Sequence, residues 1–129
     1  MDQQEVIFRL SMMEQQMNQL QQQLQAVDRG VNELQSLSLG LDEFPGSEGK
    51  EILAQIGRGI YAKAKIISEE LTVNIGDNNF VTRTIPEAKE LLEGQIKKLK
   101  EVESDLEKSM EVTNREFMEL VQEYQGKKE

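Results

Sequence analysis

A chain that does covalent chemistry needs a nucleophile, a general base or a metal, and the side chains that supply these are scarce here. No Cys and no His occur among the 129 residues. That excludes disulfides, thiolate nucleophiles, His-containing metal sites and a Ser-His-Asp triad. Carboxylates, Lys, Tyr, Ser and Thr remain, and none of them falls into a catalytic constellation. The Gly57-Arg58-Gly59 turn lacks the Lys-Ser/Thr that completes a phosphate-binding loop, and it lacks the G-x-G-x-x-G spacing of a dinucleotide fingerprint. The expectation is no catalytic residue, no metal and no cofactor.

Non-covalent contact is what the composition leaves. A net charge of −9 argues against a phosphate-binding surface, and no region is basic enough to reverse it, so no nucleic-acid partner is expected. No apolar run approaches the roughly 20 residues that span a bilayer. Met1-Asp2-Gln3-Gln4-Glu5 has neither the basic start nor the apolar block of a secretory leader. These points predict a cytoplasmic protein without a membrane partner, and the missing cysteine fits a reducing compartment. With 5% aromatic residues, no Trp and 30% charged residues, material for a globular core is thin; the mixture suits long helices.

The elements follow from periodicity. Val6, Leu10, Met13, Met17, Leu20, Leu24, Val27, Val31 and Leu34 recur in alternating steps of four and three, and Leu41 continues the row past Ser38. A mean spacing of about 3.5 is the seam of a left-handed helix pair. Glutamines fill the intervening positions, and Gly30 is the weak spot, at about 1 kcal/mol against Ala. A second helix begins at Thr84-Ile85-Pro86-Glu87, a capping box with Pro where first-turn amides have no partner. Its seam runs Leu92, Ile96, Leu99, Glu103, Leu106, Met110, Thr113, Phe117, Leu120, Tyr124. Glu103 and Thr113 interrupt it, with Val102 and Val112 beside them, and Gly126 before Lys127-Lys128 predicts a stop. Two helices of similar reach, about 55 to 60 Å at ~1.5 Å per residue, can fold back on each other, bringing Leu10 near Leu120.

Between them the period changes to two. Ile52, Ala54 and Ile56 alternate, as do Ile60, Ala62, Ala64 and Ile66, with Tyr61, Lys63 and Lys65 on the opposite face; Leu71, Val73 and Ile75 form a third run, and Phe80 to Thr84 a fourth. Gly57-Arg58-Gly59, Ser68-Glu69-Glu70 and Gly76-Asp77-Asn78-Asn79 are turn-forming stretches. Four short strands with an open apolar face and open edges are not stable alone, which predicts an oligomer. The fold class is therefore α+β: one domain over 1–129, with an N-terminal coiled-coil helix at 1–41, two β-hairpins at 51–84, and a C-terminal coiled-coil helix at 85–126.

Ile56-Gly57-Arg58-Gly59-Ile60-Tyr61, then Val73-Asn74-Ile75-Gly76 with Phe80-Val81-Thr82-Arg83-Thr84 and Glu87-Ala88, set between two such helices, resemble the alpha class of prefoldin, of the archaeal type. The resemblance covers essentially the whole chain. It departs at Gln55, where the family usually has Pro, and at Asp77-Asn78-Asn79, where a second Gly is usual. It implies an ATP-independent chaperone subunit, not an enzyme, in a hexamer of two alpha-class and four beta-class chains. Ile56, Ile60, Ala62, Leu71, Val73, Ile75, Phe80 and Val81 would then be the strand residues that complete an oligomeric β-barrel, with Lys63 and Lys65 on its exterior.

The resemblance also implies that the coiled-coil tips bind non-native clients and pass them to a group II chaperonin. Ile7, Phe8 and Met12 lie off the first seam, and Met118 and Val121 off the second, so they are surplus to helix pairing. Met13, Phe117 and Tyr124 belong to the seams and complete the candidate tip. Met1, Met12, Met13 and Met17 crowd the first helix, and Met adapts to irregular partners. Glu116, Glu119 and Glu123 are outer positions for chaperonin contact. The rival reading is a prefoldin-like filament or spacer that assembles through its strands.

Overall fold

The computed structural model describes residues 2–128. Its element order is α1 (Gln3–Asp42), β1 (Glu51–Gly57), β2 (Ile60–Lys65), β3 (Leu71–Gly76), β4 (Asn79–Arg83) and α2 (Ile85–Lys128). Contacts divide the chain into two units, Met1–Asn32 with Lys97–Glu129, and Glu33–Ile96.

The first unit is an antiparallel helix pair. Asp2 caps α1: its carboxylate accepts from the Gln4 amide at 2.9 Å and its carbonyl from the Val6 amide at 3.1 Å, satisfying donors that the first turn leaves free. Val6 and Val31 are buried, and Leu10, Met13, Met17, Leu20, Leu24 and Val27 are half-buried. Apart from Gly30, every other described α1 residue in this unit is exposed. On α2, Leu99, Glu103, Leu106, Met110, Thr113, Phe117, Leu120 and Tyr124 face inward. Leu99 lies against Gly30, while Met17 and Leu24 share a cleft with Glu107, Met110 and Asn114. Positions that rise along one helix meet positions that fall along the other, so the helices run in opposite directions.

Glu103 and Thr113 keep their places in the seam. Thr113 is 6% exposed, whereas the neighbouring Val102 and Val112 are 45% and 48% exposed. Turning either valine inward would rotate a whole stretch of α2 and pull its leucines out. Many correctly placed apolar side chains outweigh two polar interruptions.

α2 runs through Gly126 to Lys128, beyond the stop expected there. Gly126 is not among the glycines with positive φ, so it keeps right-handed helical backbone. The helix-forming residues around it carry the loss of about 1 kcal/mol that a Gly brings.

In the second unit, Leu34, Ser38 and Leu41 of α1 and Ala88, Leu92 and Ile96 of α2 continue the inward rows. The start of α2 is a reciprocal cap. Glu87 donates its amide to the Thr84 hydroxyl at 3.3 Å, and its carboxylate accepts from the Thr84 amide at 3.2 Å and hydroxyl at 2.9 Å. The Lys89 ammonium pairs with the Asp42 carboxylate, tying the last residue of α1 to the first turns of α2. The Gly46 amide donates to the Glu69 carboxylate, and Lys50 and Gly49 bond backbone to backbone with Ile66.

The hairpins form two separate two-stranded sheets, β1-β2 and β3-β4, each antiparallel. Both carry a bulge in the same place. Gln55 pairs with Tyr61 and Gly57 with Ile60, leaving Ile56 without a partner. Asn74 pairs with Phe80 and Gly76 with Asn79, leaving Ile75 without one. Asp77 and Asn78, at φ 52° and 58°, make the turn of the second hairpin. Two consecutive left-handed residues match the twist of the flanking strands, and Asp and Asn adopt that conformation more readily than other non-glycine residues.

Candidate functional site

Two groups of exposed apolar side chains stand out, one in each unit. At the end of the coil formed by the first turns of α1 and the last turns of α2, Val6 and Leu120 close the seam at 2% and 6% exposure. Around them Ile7, Phe8, Met12 and Met118 are 54%, 66%, 54% and 50% exposed. A pair of helices has one inward stripe each, so apolar residues off that stripe have no face to hide against. Of the other expected tip residues, Met13, Phe117, Val121 and Tyr124 are half-buried. Packing takes most of their surface, and the free apolar area belongs to the first four.

The second group lies on the ribbons. Cross-strand pairs Ile52 with Ala64 and Ala54 with Ala62 make one apolar face, while Glu51 with Lys65, Leu53 with Lys63 and Gln55 with Tyr61 make the other. The bulged Ile56 is 73% exposed and Ile60 62%; on the second ribbon the bulged Ile75 is 61% exposed. Ala62, Leu71, Val73 and Val81 are half-buried. Leu71, Val73, Leu37, Leu41, Leu91 and Leu92 line a groove of about 470 Å³ between the second ribbon and the helix ends. Phe80 pairs with Asn74, and Thr82 with Thr72, so Phe80 stands on the face opposite Leu71, Val73 and Val81. The eight strand residues therefore do not form one continuous patch.

Some exposed apolar residues were not singled out by sequence reasoning. Ile67 is 86% exposed between the hairpins, Leu39 is 69% exposed on α1, and Leu53 is 66% exposed on the lysine face of β1. Ile67 follows Ile66 directly, and strict alternation would have pointed to it. Leu53 likewise stands between Ile52 and Ala54, so alternation places it on the opposite face; Leu39 lies off the heptad row of α1.

Among the described residues, no group of acidic side chains is arranged to hold a metal, and no helix is long and apolar enough to cross a membrane. The Thr84 backbone amide, and next its hydroxyl, hold the Glu87 carboxyl below the usual carboxylate range.

Residues 13–129 match the prefoldin subunit family profile. The chain belongs to the prefoldin family. Prefoldin family members are non-enzymatic chaperones. The chain is 30% identical over 95 residues to prefoldin subunit alpha 1 of Thermococcus kodakarensis, a match covering 72% of this chain and 65% of that relative's length. Its fold is similar to a chain in the cryo-EM structure of filamentous prefoldin from Methanocaldococcus jannaschii, with a TM-score of 0.53 at 21% identity, covering 93% of this chain and 95% of that one.

Both departures from the usual prefoldin pattern have a local answer. The Gln55 side-chain amide donates to the Gly57 carbonyl across the bulge at 3.3 Å, a bond that Pro at this position would not supply. Asp77 and Asn78 themselves take positive φ, 52° and 58°, the conformation that a second Gly would supply.

Proposed function

We propose that this chain is an alpha-class prefoldin subunit, a cytoplasmic chaperone component that holds non-native proteins without ATP and passes them to a group II chaperonin. The observation that carries the reading is the coil end. Ile7, Phe8, Met12 and Met118 are at least half exposed there, around a seam that is complete without them. Exposed apolar groups of this kind bind unfolded segments by contact alone, and Met side chains adapt to varied partners. The ribbons supply the assembly surface. Each has unpaired strand edges; the first also has an open apolar face and the second the exposed Ile75 and Phe80, which neighbouring strands would cover. Two ribbons per alpha-class chain and one per beta-class chain give the strands for closed barrels in an alpha2beta4 hexamer.

The test is co-expression with a beta-class subunit, followed by mass measurement and an aggregation assay with heat-denatured citrate synthase, without nucleotide. The expected result is a closed complex that forms only with the partner and suppresses aggregation. Open polymers of the chain alone would favour the filament or spacer reading, which the same unpaired edges would also serve. A lone monomer without holding activity would overturn both.

A further inference from the structure

The exposed apolar residues at the coil end do not form one ring, because they leave the helices at different angles. Heptad phase fixes those angles, and two clefts along the coil fix which flank is which. Gln21, Gln25 and Asp28 of α1 line one cleft with Glu107 of α2; Glu107, Glu111 and Asn114 line the next. These residues therefore share one flank. The pattern repeats every seven residues in a coiled coil. Two repeats back from Gln21 stands Ile7. One repeat on from Glu111 and Asn114 stand Met118 and Val121. The three apolar residues thus share the flank of the clefts. Met12 falls on the opposite flank, and Phe8, midway between the seam residues Val6 and Leu10, points away from α2.

Charge separates the flanks in the same way. Ile7 and Ser11 of α1 and Met118, Val121 and Gln125 of α2 make a stretch with no charged side chain until Glu14. The opposite flank holds Arg9, Glu116, Glu119 and Glu123 beside Met12. An apolar segment laid over that flank would have to strip water from three carboxylates and a guanidinium, which is expensive. Over the neutral flank it would cover only apolar and uncharged polar groups.

We infer that client contact at this coil end is one-sided: an uncharged apolar segment of a non-native chain lies on the flank of Ile7, Met118 and Val121. Met12 and Phe8, although as exposed, lie off that flank and contribute less. This rests on the holding function proposed above, and the experiment separates the two.

Two double variants carry the test, each assembled with a beta-class subunit: Ile7→Ser with Met118→Ser, and Phe8→Ser with Met12→Ser. All four positions are at least half exposed, so circular dichroism should show unchanged helicity. The first pair should raise the amount of complex needed to half-suppress citrate synthase aggregation by about threefold or more, from lost apolar contact, and the second should raise it clearly less. Ser11→Glu, a carboxylate set into the neutral flank, should weaken holding, while Glu116→Gln with Glu119→Gln should not. Equal or larger losses from the Phe8 and Met12 pair would overturn the one-sided contact and leave the holding function standing. Unchanged holding by both pairs would also overturn it. A parent complex that does not suppress aggregation removes both claims.

Discussion

Leu99 occupies the space that a side chain at position 30 would need: its δ-methyl lies 3.3 Å from where a Cβ on Gly30 would stand. Gly30 thus lets α1 and α2 approach closely, at a position where Ala would improve helix propensity by about 1 kcal/mol. The obstructing atom is the end of a flexible side chain, which can yield by a few tenths of an ångström at small cost. Gly30→Ala should therefore raise the thermal midpoint slightly, and Gly30→Val, with its bulkier β-branched group, should lower it. Circular dichroism melts of both variants decide the matter.

The seam itself predicts the outcome of repairing it. Glu103 faces inward and shares a cleft with Asp28 and Glu107, two further acids and no cation. Glu103→Leu should stabilise the coil by about 1 kcal/mol, replacing a half-buried carboxylate by an apolar side chain of similar reach. A lower melting temperature for this variant would show that Glu103 has a partner or role that the single chain does not display.

At the start of α2, Thr84→Ala should cost about 1 kcal/mol, the usual size for a lost cap. The pH dependence has a definite sign. The Glu87 pKa is lowered in the folded chain, first by the Thr84 amide and then by its hydroxyl. Its stabilisation is therefore present at neutral pH and is lost as pH falls through the lowered pKa. Stability measured from pH 7 down into the acid range should fall less steeply in Glu87→Gln than in the parent, because the variant has no such proton to gain.

The second hairpin gives a prediction about turn chemistry. Asn78 sits at φ 58°, where Gly is free of side-chain strain. Asn78→Gly should leave the ribbon intact and stabilise it by a few tenths of a kcal/mol, whereas Asn78→Val should weaken it. Amide hydrogen exchange at Asn74 and Val81 reports the difference.

Much of this was legible because period is a strong signal. Each seam residue from Val6 to Leu41, and from Leu92 to Tyr124, turns inward in the structure, and even Ser38, Glu103 and Thr113 keep the phase their neighbours impose. Thr84-Ile85-Pro86-Glu87 marked the start of α2 through chemistry that needs only local residues. The end was harder: Gly126 weakens a helix without obliging it to stop, and only a positive φ would have ended it. The bulges were hidden too: Ile56 and Ile75 fit the alternation of their own strands, and only the cross-strand register leaves each without a partner. At the coil end, apolar surplus could be counted from sequence, but its division between flanks needed the clefts that show which side of α1 meets which side of α2.

Those leftover isoleucines belong to ribbons that stay apart, β1 bonded only to β2 and β3 only to β4. A protein with a single ribbon can join one ring of strands as a link. In the assembly proposed above, this chain, with two, would enter two rings at once and fasten them together as a rivet does.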